Sequence, residues 1–160
     1  MNKAEIYKLL TEKNIQYEKA EHTAVYNMSE LASVGLTHPA CEAKNIFIRD
    51  DKKHNYYLIT VRGEKRVDLK DFRKKHGLRP ISFASEKELS DILGVTTGAV
   101  SPFGLLNDEE RKVKFFLDDS FFGKNIAVHP NDNTATVWLP ANDLMSLLRE
   151  HGNVAEFAGL

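Results

Sequence analysis

The chain is poor in cysteine, in long apolar runs and in net charge. Cys41 is the only cysteine among 160 residues, which excludes an intramolecular disulfide, a multi-cysteine zinc knuckle and a redox pair. A reducing compartment fits that usage, and Cys41, beside His38 and Pro39, reads as an incidental thiol. No apolar run approaches the ~18 residues that a membrane-spanning helix needs. The opening stretch MNKAEIYKLLTEKN has neither the apolar segment nor the small-residue cleavage site of a signal peptide. These absences lead to the expectation of a soluble cytoplasmic protein with no membrane partner. A formal net charge of -1 excludes a uniformly basic coat, although it leaves a local basic stripe open.

Chemical signatures are also missing. The six histidines, at 22, 38, 54, 76, 129 and 151, show no close metal-ligand spacing, so no metal site is expected. There is no G-x-x-x-x-G-K-S/T phosphate loop and no G-x-G-x-x-G after a strand, and no cofactor is expected. Ser101 lies in A-V-S-P-F, without the flanking glycines of a nucleophile elbow.

What is present fits one domain of mixed α/β (α+β) class spanning residues 1–160. Asn2 and Glu5 form a capping pair for an amphipathic helix over 3–13. KNIFIRD (44–50) and YYLITV (56–61) are β-rich runs joined by DDKKHN, which predicts a hairpin. Asp68 caps a helix to His76, stopped by Gly77, and Ser85 with Glu88 caps another that stops at Gly94. VKFFLDD (113–119), NIAVHP (125–130) and ATVWLP (135–140) predict three strands, followed by a last helix, NDLMSLLREHG. Helices interrupt the strands irregularly, which argues against a doubly wound nucleotide fold.

Two features suggest function. Between Arg62 and Arg79 eight cations face three carboxylates, a basic stripe suited to a polyanion; Arg66, Arg73, Lys74 and Lys75 are its candidate contacts. The stretch GAVSPFGLLND (98–108) sets small and apolar residues around a glycine and a proline, breakers that neither strand nor helix interior tolerates. It predicts a shaped loop that works through its backbone.

Three motifs, EHTAVYNMSELA (21–32), KNIFIRD (44–50) and TTGAVSPFGL (96–105) with its G-x-x-x-P, together with element order and length, resemble the YbaK-type aminoacyl-tRNA editing domains related to the insertion domain of bacterial prolyl-tRNA synthetase. The resemblance implies a mixed, barrel-like sheet flanked by helices and a metal-independent deacylase that removes alanine from mischarged Ala-tRNA(Pro). A cysteinyl-tRNA(Pro) deacylase and a non-catalytic tRNA- or synthetase-binding module are the alternatives. Partners implied are tRNA(Pro) charged with alanine and prolyl-tRNA synthetase, with no DNA. The family lysine maps onto Lys44, its loop glycine and proline onto Gly98 and Pro102, and its late pocket histidine onto His129. Asn45 and Ser101 join them as substrate-binding candidates, and Tyr26, Met28 and Phe47 are candidate walls of a steric sieve. A developing oxyanion would be met by loop N–H groups, with Gly98 allowing close approach and Pro102 fixing the shape.

Overall fold

The computed structural model describes residues 1–23 and 41–160. Helix α1 (Lys3–Glu12) starts on the predicted capping box, Asn2 accepting from the Glu5 amide and Glu5 from the Asn2 amide. Strands follow as β1 (Glu18–Glu21), β2 (Ala43–Asp50) and β3 (Tyr56–Arg62), then helix α2 (Leu69–His76) and β4 (Ile81–Phe83). A helical turn Glu86–Glu88 runs into a π-helical turn Leu89–Leu93, followed by 3-10 turns Thr97–Ala99 and Pro102–Asn107. The chain closes with β5 (Val113–Asp118), a 3-10 turn Asp119–Phe121, β6 (Asn125–Val128), β7 (Ala135–Pro140), helix α3 (Ala141–His151) and β8 (Ala155–Ala158).

The strands form two sheets. One has order β4-β2-β3-β5-β8, with β2 antiparallel to β3 and β4, and β3, β5 and β8 mutually parallel. The other is antiparallel, β1-β7-β6. A parallel bridge between Glu42 and Ala127 ties the start of β2 to β6. This is the mixed α/β single domain with helices flanking the sheets that the sequence predicts. Three strands escape that reading: β1, β4 and β8. Strands β5 and β6 also end earlier than predicted, at Asp118 and Val128.

Strand alternation divides the core. Phe47 and Leu58 with Phe115 and Leu117 face Ile126, Val128, Val137 and Leu139 of the second sheet, and Ile6, Leu10, Leu144 and Leu148 seal this cluster. On the opposite face Ile48, Tyr57, Ile59, Val61 and Phe116 pack under Phe72 of α2, whose ring meets Phe116 edge-on at 5.0 Å. Asp68 caps α2 through the Asp71 amide, and Gly77, with φ +62°, ends it.

Candidate active site at the start of β2

Asn45 and Thr60 stand opposite each other on the β2–β3 ladder. The buried Thr60 hydroxyl donates to Asn45 Oδ1 at 2.6 Å, and Asn45 Nδ2 donates to the Val100 carbonyl at 3.1 Å. One amide therefore ties the main chain of the loop holding Gly98 and Pro102 to the strand that carries Lys44. Thr60 donating to the amide oxygen leaves the NH2 group for the loop, which fixes the orientation of Asn45.

The loop is built from two short turns. The Ala99 amide donates to the Thr96 carbonyl at 3.0 Å and closes the first. Ser101 caps the second, its Oγ accepting from the Phe103 amide at 3.1 Å, and Pro102 takes the first helical position, where its missing N–H is no loss. Ser101 is fully buried, so its side chain shapes the turn. Phe103 beside it is also fully buried, and burial of such a ring is worth about 1.5–3 kcal/mol, which anchors the loop in the core. Gly98 is half-buried and is not one of the glycines with positive φ, so it supplies a missing side chain rather than a left-handed backbone. It lines a cleft of about 440 Å³ with Glu86, Ser90, Val95, Thr96 and Thr97. Behind the loop, Gly94 (φ +65°) ends the π-helical turn so closely that an added Cβ would lie 2.9 Å from Asn107 Nδ2.

Lys44 pairs with Val61 and lies on the Ile46 and Ile48 face, opposite Asn45. Its ammonium donates to the Lys65 carbonyl, its one acceptor among the described residues. Strand β4 covers only Ile48, Arg49 and Asp50 of β2, so Lys44 sits on a stretch of β2 where β4 does not pair. Lys65 itself is held by Asp118, whose Oδ2 accepts from Lys65 Nζ at 3.1 Å and from Ser120 Oγ at 3.0 Å. Asp118 is 1% exposed, and its other oxygen has no hydrogen-bond partner among the described residues. Neither Thr60 nor the Lys65–Asp118 pair is among the sequence candidates; the only hint is the polar DD that follows the apolar run of β5.

His129 follows β6, two residues beyond the Ala127 bridge to Glu42, which brings it beside the start of β2. Its Nδ1 lies 2.8 Å from the Ala135 carbonyl, which can only accept, so Nδ1 carries the proton and Nε2 a lone pair in the neutral ring. Burial pushes its pKa below the ordinary 6.5, with His22 acting in the same direction and the Ala135 carbonyl and Asp132 opposing. The His22 ring is 6.3 Å away between centroids, and its Nε2 lies 2.9 Å from Thr136 Oγ1.

Phe47 lies in the main core, stacked on Tyr56 at 5.7 Å. Tyr26 and Met28 lie outside the described residues. Of the predicted tRNA contacts, Arg66 and Lys74 are exposed with no carboxylate partner among the described residues. Arg73 donates to the Leu78 carbonyl at 3.1 Å, and Lys75 pairs with Asp71 at 3.2 Å.

The family model for the aminoacyl-tRNA editing domain matches residues 22–147. The chain is 41% identical over 145 residues to the prolyl-tRNA editing protein ProX of Acetoanaerobium sticklandii, covering 90% of this chain and 88% of that one. It is 30% identical over 156 residues to the prolyl-tRNA synthetase associated domain-containing protein 1 of Mus musculus, covering 94% and 92% of the two chains. A solved structure, provisionally assigned as a trans-editing enzyme for prolyl-tRNA synthetase, shares the fold with a TM-score of 0.74 at 21% identity, over 99% of this chain and 95% of that one.

Proposed function

The chain belongs to the aminoacyl-tRNA editing domain family, and we propose that it hydrolyses mischarged Ala-tRNA(Pro) in the cytoplasm, releasing alanine and intact tRNA before proline codons are misread. The observation that carries this reading is the Asn45 bridge, which holds the loop of Gly98 and Pro102 against the strand of Lys44.

Water adds to the ester carbonyl, and negative charge gathers on the carbonyl oxygen before the ribose hydroxyl leaves. Main-chain N–H groups beside Gly98 stabilise that oxygen because no side chain stands between them and the substrate. Lys44, on the other face of β2 from Asn45 and the loop, supplies a compact positive charge to the terminal nucleotide, using ammonium hydrogens beyond the one given to Lys65. No carboxylate or imidazole need act as general base if the neighbouring ribose hydroxyl orients the water; positioning and electrostatics are then the protein's contribution. His129, kept neutral by burial, offers Nε2 as an acceptor to the substrate.

The need for such an enzyme follows from size. A proline pocket rejects the smaller alanine by only about 1–3 kcal/mol, so a second site that admits alanine and excludes proline restores accuracy. Prolyl-tRNA synthetase, source of the error, is the proposed partner. The test is release of amino acid from tRNA(Pro) charged with alanine, cysteine or proline. Alanine is expected to be released and proline retained. Faster release of cysteine would reassign the substrate, and release of none would overturn the hydrolase.

A further inference from the structure

The α2 face of the five-stranded sheet carries cations from one end to the other. At one end Lys44 holds the Lys65 carbonyl, and the chain passes through Arg66 directly into α2. At the other end His76, the last residue of α2, lines a cleft of about 300 Å³ with Tyr57, Phe116, Arg111, Lys112 and Lys114. Lys44 pairs opposite Val61 and Arg49 opposite Tyr56, so the two ends lie five strand residues apart, roughly 17 Å. Helix α2, eight residues and about 12 Å long, bridges most of that distance. Its Lys70 and Lys74 are exposed with no carboxylate partner among the described residues.

The far cleft sets cations over rings that are themselves buried in the core. Lys114 lies over the Phe116 ring at 4.9 Å and Lys112 over the Tyr56 ring at 5.6 Å, while the His76 ring sits 4.7 Å from that of Phe116. The carboxylates nearby are weak competitors for a phosphate. Glu110 meets Lys112 at 3.3 Å and Glu156 meets Lys114 at 3.9 Å, both in exposed pairs of the kind worth ~0–1 kcal/mol. Arg111 gives its hydrogens to the main-chain carbonyls of His151 and Glu109, which leave its charge uncancelled.

We infer that this cleft is a second anchor for RNA, binding the phosphate backbone of the tRNA at a distance from the site at Lys44, with α2 as the track between them. The inference rests on the tRNA reading above and adds a location to it. Cations spread over roughly 17 Å suit a stiff polyanion better than a small anion, which would need one convergent pocket.

The test compares wild type with Lys112→Gln/Lys114→Gln, in which the charges are removed and uncharged polar side chains remain. Binding of uncharged tRNA(Pro) is measured across a salt titration, and hydrolysis is measured on alanylated tRNA(Pro) and on an alanylated CCA trinucleotide. Affinity for tRNA is expected to fall about 5–20-fold, with a salt slope smaller by about 1.5–2, while trinucleotide hydrolysis stays within twofold. Unchanged affinity and slope overturn the anchor, and so does an equal loss on the trinucleotide, which would make the cleft part of the reacting site. If wild type hydrolyses neither substrate, the deacylase reading fails while the binding titration still decides the cleft. Lys114→Gln alone, with half the slope change, serves if the double variant does not fold.

Discussion

The two halves of β2 are built in opposite ways. Ile48 and Arg49 are paired on both sides, by β3 and by β4, and Asp50 is paired by β4. Their polar groups are consumed locally: Arg49 reaches Glu88 at 3.3 Å, and Asp50 accepts from the His54 amide and from Asn55 Nδ2. Burial alone would raise the Glu88 pKa, but the Ser85 amide, the Tyr56 hydroxyl and Arg49 outweigh it and hold the carboxyl down to about 2. Burial, followed by the Glu88 carboxylate, pushes Tyr56 up to about 12. At the other half, Lys44 and Asn45 bond to main-chain carbonyls of two different loops. A carbonyl orients a side chain without cancelling its charge. The strand thus spends its charges on rigidity at one end and keeps one in reserve at the other.

That contrast can be broken at either end. Lys44→Ala is expected to lower single-turnover deacylation by about 10²-fold with little change in melting temperature, as for loss of a group that positions the substrate. Near-normal turnover by the folded variant would remove Lys44 from the site. Gly98→Val should cost about 10–100-fold in turnover and less in stability, since the branched side chain intrudes on the cleft it lines; a variant that only unfolds would mean the glycine serves packing. Asn45→Ala, which cuts the loop loose and leaves the Thr60 hydroxyl without its acceptor, is expected to cost about tenfold in turnover and about 1–2 kcal/mol in denaturant unfolding. Loss of stability alone would make the bridge purely structural.

The opposite pattern is expected at the rigid end. Glu88→Gln should cost about 1–3 kcal/mol of stability and leave turnover within twofold. Because folding lowers the Glu88 pKa from 4.5, its contribution is fully present above about pH 4.5 and disappears as pH falls towards 2. Denaturation midpoints of wild type and variant should therefore converge across that window. Parallel curves would mean the stabilisation does not come from the ionised carboxylate.

Local chemistry was legible in the sequence where a signal is contained within a few residues. The capping pairs Asn2 with Glu5 and Ser85 with Glu88, the Asp68 cap and the β2–β3 hairpin all form as their spacing predicts. EKAE of β1, ISF of β4 and AEFA of β8 are short and lack a clear alternation; partners distant in sequence make them strands. The site follows the same rule. The motif around Lys44 and Asn45 and the shaped loop could be read from residue order. That Asn45 reaches the Val100 carbonyl, that Lys44 points to the other face, and that Asp118 holds Lys65 depends on register and on contacts across tens of residues.

The pairing of β1 with β7 also sets a schedule. Glu21 meets Ala135, so roughly 115 residues must emerge before the first strand finds its neighbour, which takes about 6–23 s at ~5–20 residues per second. Until then β1 presents an unsatisfied edge, and the second sheet that closes over Phe47, Leu58 and Phe115 cannot form. Long-range pairings of this kind slow folding because loop closure is paid before any contact is gained. Closure of the second sheet therefore waits for the synthesis of β7, and the nascent polypeptide has to stay protected from mispairing during that interval.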